Sequence, residues 1–276
     1  MKIKTPYGWM GGQKSAAAGF LASSVFLFCA CSWSPAFAAQ PVISIRSDSW
    51  YPFNDKPDDA KPGYVVETMK LIFEPKGYTL DYQIMPWKRA IAEGEKGAIH
   101  GIIGAIKSDA PTFVFPEEPA GVSDTTFFVK KGSTWKYAGI DSFKGKCLGV
   151  SAGYAYEDPL GAYLKANAGN ARLINESAGD QPLELGIKKL QADRVDICVE
   201  ASIVFWTRVD RMGISRDSFM DAGMLGETEP LYVAFSPAKP ESKDLAKTFS
   251  EGIRALRKSG ELGRVLAKYG VKDWVK

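Results

Sequence analysis

Two successive runs of alternating strand-like and helix-like segments constrain this chain more than any single motif does. Val42–Ser47 alternates apolar and polar residues as a short strand, and an aromatic, Pro- and Asp-rich loop follows over Asp48–Pro62. Val65, Met69, Leu71 and Ile72 form the inner stripe of a helix ending near Gly77. Tyr78–Met85 then predicts a strand, Trp87–Glu95 a helix, and Ile99–Ile106 and Thr125–Lys130 two further strands. The pattern restarts with a strand at Cys147–Val150, a helix at Tyr156–Ala166 and a strand at Ala171–Asn175. A helix through Leu183, Ile187 and Leu190, a strand at Val195–Val199, a helix at Ile203–Met212 and a strand at Leu231–Ser236 complete the second run. Leu245, Phe249, Ile253 and Leu256 stripe a long closing helix, and Gly260-Glu261-Leu262 starts a shorter one. This order predicts an α/β fold of two lobes with mainly parallel sheets. Ligands of open α/β sheets bind outside the carboxyl ends of the strands, so two such lobes would hold a ligand cleft between them.

Residues 1–38 read as an export signal. Lys2, Lys4 and Lys14 give a basic start, Ala16–Ala30 is uncharged and mostly apolar, and Ala36-Phe37-Ala38 supplies the small-x-small cleavage pattern. The apolar run falls short of the roughly 20 residues that span a membrane. A periplasmic protein is the expectation, with a retained anchor or a lipid-modified Cys31 as alternatives. Without the three signal lysines, 32 basic residues balance 32 acidic ones, which argues against nucleic acid as a partner. The spacings show neither a metal signature nor a cofactor motif, and a monomer is expected. Cys147 and Cys198 remain after cleavage. An oxidising compartment permits a bridge between them, and two buried thiols on apolar strands fit the sequence equally well.

Several short motifs, in this order, resemble the extracellular solute-binding proteins of family 3, the polar-amino-acid-type binding components of ABC importers. They are Ser49-Trp50-Tyr51-Pro52-Phe53, Pro86-Trp87-Lys88-Arg89, and Gly101-Ile102-Ile103-Gly104 leading to Phe115-Pro116-Glu117-Glu118-Pro119. Lys144–Val150, Arg194-Val195-Asp196 and Gly260-Glu261-Leu262 with Tyr269-Gly270 follow. The resemblance implies a type II periplasmic-binding fold, with one lobe from about 39–130 plus 233–276 and a second from 131–232. It further implies two hinge crossings, closure around a small solute, and an ABC permease or membrane sensor as partner.

The departures from the family pattern are informative. Where the family's amino-acid binders carry an arginine for the ligand carboxylate, this chain has Ser108-Asp109-Ala110-Pro111. Tyr154-Ala155 stands where a small hydroxyl is usual, and the carboxylate for the ligand ammonium falls on Ala201. A zwitterion bound without these anchors would leave buried charges unpaired, so a standard α-amino acid is not expected. Trp50 occupies the family's ligand-stacking position, with Tyr51 beside it. Trp87 could line the cleft or finish the core. Ile106 ends a buried strand, and Lys107 after it could reach a ligand as a point charge. Ser151, Gly153, Tyr154 and Tyr156 lie at a strand-to-helix junction whose free N–H groups could receive an anion or carbonyl. Glu200 could bind a cationic group, although a continuing strand would turn it to the other face.

Two enzyme readings compete with solute binding. Gly149-Val150-Ser151-Ala152-Gly153 matches G-x-S-x-G, yet the sole histidine, His100, precedes the serine instead of following it. Proteins resembling this fold also include dehydratases, for which Glu200 would be the general acid.

Overall fold

The computed structural model describes residues 40–275. The expected export signal, residues 1–38 with Cys31, lies outside the described residues. β1 (Val42–Ser47), α1 (Tyr64–Phe73), β2 (Thr79–Ile84), α2 (Trp87–Glu95) and β3 (Gly101–Ala105) form the first run. β4 (Gly121–Lys130) leads to β5 (Leu148–Ser151), α3 (Leu160–Ala166), β6 (Ile174–Ser177), α4 (Pro182–Gln191), β7 (Ile197–Glu200) and α5 (Ser202–Arg211). β8 (Phe219–Phe235), α6 (Ser242–Ser259) and α7 (Glu261–Lys268) close the chain.

The strands lie in the order β2-β1-β3-β8-β4-β7-β5-β6. Pairing is parallel within each half, β1 with β2 and β3, and β5 with β6 and β7. The middle is antiparallel. β8 pairs β4 over Phe219–Leu231 and β3 over Tyr232–Phe235, so one long strand joins the two halves. The result is a two-lobed mixed α/β fold, with β4 and β8 as neighbouring antiparallel strands between its parallel halves.

Sequence periodicity explains most elements directly. In α6, Leu245, Phe249 and Ile253 are buried, and they pack with the buried faces of α1 and α7. Tyr64, Phe73, Phe235 and Phe249 are fully buried in this first core. Each such side chain contributes roughly 1.5–3 kcal/mol of apolar burial. A second core, with Phe127, Phe143, Leu148 and Leu160, supports the opposite lobe.

Two expectations are corrected, and one open alternative is decided. The β8 strand begins at Phe219, twelve residues before the expected Leu231; its first part is hidden in the sequence because Gly223, Gly226 and Pro230 punctuate it and its apolar residues, Phe219, Met220, Ala222, Met224 and Leu225, do not alternate. The α3 helix starts at Leu160, not Tyr156, leaving Ala152–Pro159 as a loop over the cleft. Cys147 and Cys198 are free thiols. Register pairs Cys198 with Gly149, two residues beyond Cys147 on the adjacent strand. Such diagonal positions lie about 7–8 Å apart, beyond the usual disulfide range.

Candidate functional site

The carboxyl ends of β1, β3 and β7 converge on a cavity of about 710 Å³, counting its open mouth. The β1 strand ends at Ser47, so Asp48 and Trp50 leave the sheet directly into this space. The ring of Trp50 is fixed by stacking on Phe53 at 4.5 Å and 22°. β3 contributes Ile103 and Gly104, with Ile106 just beyond. Gly104 has φ +95 beside the Trp50 ring, at an irregularity between Ile103 and Ala105, a backbone state that favours glycine. The opposite wall comes from Glu200 at the end of β7 and from Tyr154, Tyr156 and Glu157 in the loop before α3. The crossings supply Ser123–Thr125 and, from β8, Leu225, Glu227 and Glu229.

Hydrogen bonds hold the two lobes together over the cavity. The Trp50 indole N–H donates to Glu200 Oε1 at 2.8 Å, and the Ala201 N–H donates to the same oxygen at 2.9 Å. The Tyr154 hydroxyl donates to Asp48 Oδ2 at 2.8 Å. The Ala155 N–H donates to Asp109 Oδ1 at 2.7 Å, while the Ile106 N–H donates to Oδ2 at 3.3 Å. Outside the cavity, Arg208 Nη2 donates to Ser49 Oγ at 2.6 Å, and Arg211 pairs with Asp55 and Asp59. The lobes are therefore closed on one another.

The electrostatics are one-sided. Among the described residues, no lysine or arginine lines the cavity, whereas Asp48, Asp109, Asp124 and Glu200 line its interior. Glu157, Glu227 and Glu229 add three carboxyls toward the mouth. Burial pushes Asp48 and Glu200 up to about 7, against the opposing pull of Tyr154 on Asp48 and of Trp50 on Glu200. Burial likewise raises Asp109 to about 6 despite its two backbone donors. Glu229 is pushed up to about 8, first by desolvation and then by the neighbouring Glu157. Glu200 is 4 % exposed, and its Oε2 has no hydrogen-bond partner. The Trp87 indole N–H makes no hydrogen bond of good geometry, although it lies near enough to Asp109 to favour that carboxylate.

Of the residues singled out in the sequence, Trp50, Trp87, Ile106, Tyr154, Tyr156 and Glu200 come together around the cavity. Glu200 turns inward, contrary to the strand extrapolation, because β7 ends there and Ala201 is already extended toward α5. Four expected residues lie elsewhere. The Tyr51 ring packs 4.2 Å from the Arg211 guanidinium and beside Tyr269. Lys107 lines the outer depression, its ammonium 5.5 Å from the Tyr232 ring centre. Ser151 and Gly153 line a separate depression beside Lys88 and Glu176. Ser151 is 5 % exposed, and His100 is occupied by Ser44 and Glu241, so the G-x-S-x-G serine has no imidazole at hand.

Sequence reasoning missed most of the carboxylates. Asp48 and Asp109 each follow a buried strand, a signal that was present. Asp109 sits in the very stretch read only for its missing arginine. Glu227 and Glu229 belong to the part of β8 that was not recognised as strand.

The sequence profile of the bacterial extracellular solute-binding proteins, family 3, matches residues 43–272. A probable amino-acid-binding protein, YxeM of Bacillus subtilis, is 23% identical over 227 residues, covering 81% of each chain. Among solved structures, a histidine kinase sensor domain similar to periplasmic binding proteins superposes with a TM-score of 0.67 at 19% identity, covering 83% of this chain and 96% of its own. An ancestral arginine-binding protein bound to arginine gives a TM-score of 0.68 at 18% identity, with coverages of 84% and 99%.

Proposed function

This chain belongs to the bacterial extracellular solute-binding proteins of family 3, and from that membership we propose that it captures a small polar solute by closing two lobes over the cavity beside Trp50. The family binds small molecules for ABC importers, and the same fold serves as a histidine kinase sensor domain. Solute capture in the periplasm, after removal of residues 1–38, and delivery to a permease or sensor is the role we assign.

The observation that carries this reading is the pair of cross-cleft bonds, Trp50 to Glu200 and Tyr154 to Asp48, formed by side chains that also wall the cavity. A solute between them would be read by both lobes at once. Closure removes water, which strengthens each polar contact it makes. We place the lobe crossings inside β4 and β8, at the ladder irregularity between Ser123 and Thr125, because Thr126–Phe128 already pair with β7.

The ligand is not a standard α-amino acid on this reading. With no arginine or lysine among the described residues of the lining, and Asp109 in the stretch where the family's arginine is expected, a ligand carboxylate would meet carboxylates. Such an unpaired buried charge costs several kcal/mol.

The test is mass spectrometry of small molecules released on unfolding the purified protein, followed by thermal shift with each candidate. The expected result is one solute that raises Tm with concentration. A natively folded protein that responds to no member of a broad metabolite panel would overturn the proposal. The Glu200→Gln variant separates solute binding from a dehydratase: turnover of a cyclic acid by the parent, abolished in the variant, would favour the enzyme.

A further inference from the structure

We infer that the solute is an organic cation with no carboxylate of its own, its ammonium held by the free oxygen of Glu200 and the rings of Trp50, Trp87 and Tyr154. This deepens the solute-binding proposal and rests on it.

Charge alone would be a weak argument, since acidic residues often cluster on surfaces. Here an independent feature points to a ligand. Glu200 is buried at the cavity wall, and only one of its oxygens is satisfied, by Trp50 and Ala201. The other, Oε2, lacks any donor. A buried carboxylate oxygen left without a donor is costly; an ammonium N–H supplies that donor, and a closely apposed quaternary ammonium supplies a counter-charge in its place.

The rings make the second half of the case. Tyr154 meets Trp50 edge-on at 6.4 Å and 84°, and Trp87 at 6.3 Å and 75°. Tyr154 thus stands nearly perpendicular to both indoles, and all three rings line the one cavity; a cation is attracted to aromatic faces within about 6 Å. A neutral sugar would use such rings too. Its hydroxyls would donate to the surrounding carboxylates but would leave their accumulated negative charge uncompensated, and several of them are held close to neutrality by burial in the absence of a positive partner.

An inorganic ion fits less well. Among the described residues, no three carboxylates, imidazoles or thiols converge as a metal-binding set. Asp124 and Asp109 are already spent on backbone donors, Ser202 N–H at 2.7 Å for Asp124 and Ala155 N–H for Asp109. Toward the mouth, Glu157 and Glu229 would draw cations inward and give a second amine of an elongated ligand a counter-charge.

The test is isothermal titration at pH 8 with tetramethylammonium, choline, a series of linear diamines, 3,3-dimethylbutanol as a neutral analogue of choline, glutamine, succinate and calcium chloride. At least one organic cation should bind, and 3,3-dimethylbutanol should bind at least tenfold more weakly than choline. Glu200→Gln, with native circular dichroism, should weaken the binding cation at least tenfold, and Trp87→Ala should do so for a quaternary ammonium. If only calcium binds, or if no cation binds while glutamine, succinate or a neutral metabolite does, the cation assignment is overturned and solute binding stands. If no solute of any class binds the folded protein, both proposals fall.

Discussion

The indole of Trp50 and the carboxylate of Glu200 meet across the cleft at 2.8 Å, although they lie 150 residues apart in sequence. The bond joins the loop after β1 to the end of β7 and is buried on both sides. Trp50→Phe keeps an apolar ring yet removes the donor. A hydrogen bond to a charged group is worth about 1.5–3 kcal/mol, so affinity for the solute recovered from the protein should fall by roughly 10- to 150-fold. Titration calorimetry reads this directly, and an unchanged affinity would show that closure does not depend on the bond.

Raised carboxyl pKa values make stability and binding depend on pH in opposite directions. Asp48 and Glu200 titrate near 7 in the closed protein, against ordinary values of about 4 in an unfolded chain. The folded state therefore holds extra protons between about pH 4 and 7. Stability from these groups is complete below that window and is lost as pH rises through it. The groups around them are Tyr154, Asp109 and Asp180 for Asp48, and Trp50, Asp48 and Asp124 for Glu200. Among these ionisable neighbours there is no cation to reverse the sign. The Tm of the solute-free protein should fall more steeply between pH 5 and 8 than that of Glu200→Gln. A cationic solute needs the ionised carboxylates, so its affinity should rise over the same interval.

These relationships show what the sequence could reveal. Trp87–Glu95 was readable at both ends because Pro86 pre-sets the chain direction and the apolar stripe is regular. Aromatic candidates at strand ends were readable because a strand's carboxyl end points at the cleft whatever the partner lobe does. The acidic lining was not readable. It combines Asp48 and Asp109 from one lobe with Glu200 from the other, and Glu229 from a crossing strand, so the charges meet only after closure. Tyr51 and Gly153 misled for a related reason. Each is adjacent in sequence to a lining residue, and local turns send its side chain or backbone elsewhere.

The external clasp should matter to stability more than to solute choice. Asp55 is 2 % exposed and is paired with Arg211 and, at 3.9 Å, with Arg208 from the opposite lobe. Removing one partner of a buried ionic set typically costs about 3–5 kcal/mol. Asp55→Ala should lower the urea midpoint accordingly, and small-angle scattering should show a larger, more open particle. Relative affinities among solutes should be retained, because Asp55 does not line the cavity.

Free thiols at Cys147 and Cys198 make a chemical prediction that separates them. Cys198 is 2 % exposed beneath α4, beside Gly186, while Cys147 is partly exposed at the start of β5. Burial raises both thiols, Cys198 further, so the reactive thiolate is scarce at neutral pH. The unreduced protein lacking residues 1–38, denatured and treated with a thiol reagent, should consume two equivalents. In the native state Cys147 should react slowly and Cys198 only on unfolding, so urea should accelerate modification of Cys198 far more than that of Cys147. Peptide mapping assigns the two sites. Zero equivalents under denaturing, non-reducing conditions would mean that the strands carrying Cys147 and Cys198 approach more closely than their register allows.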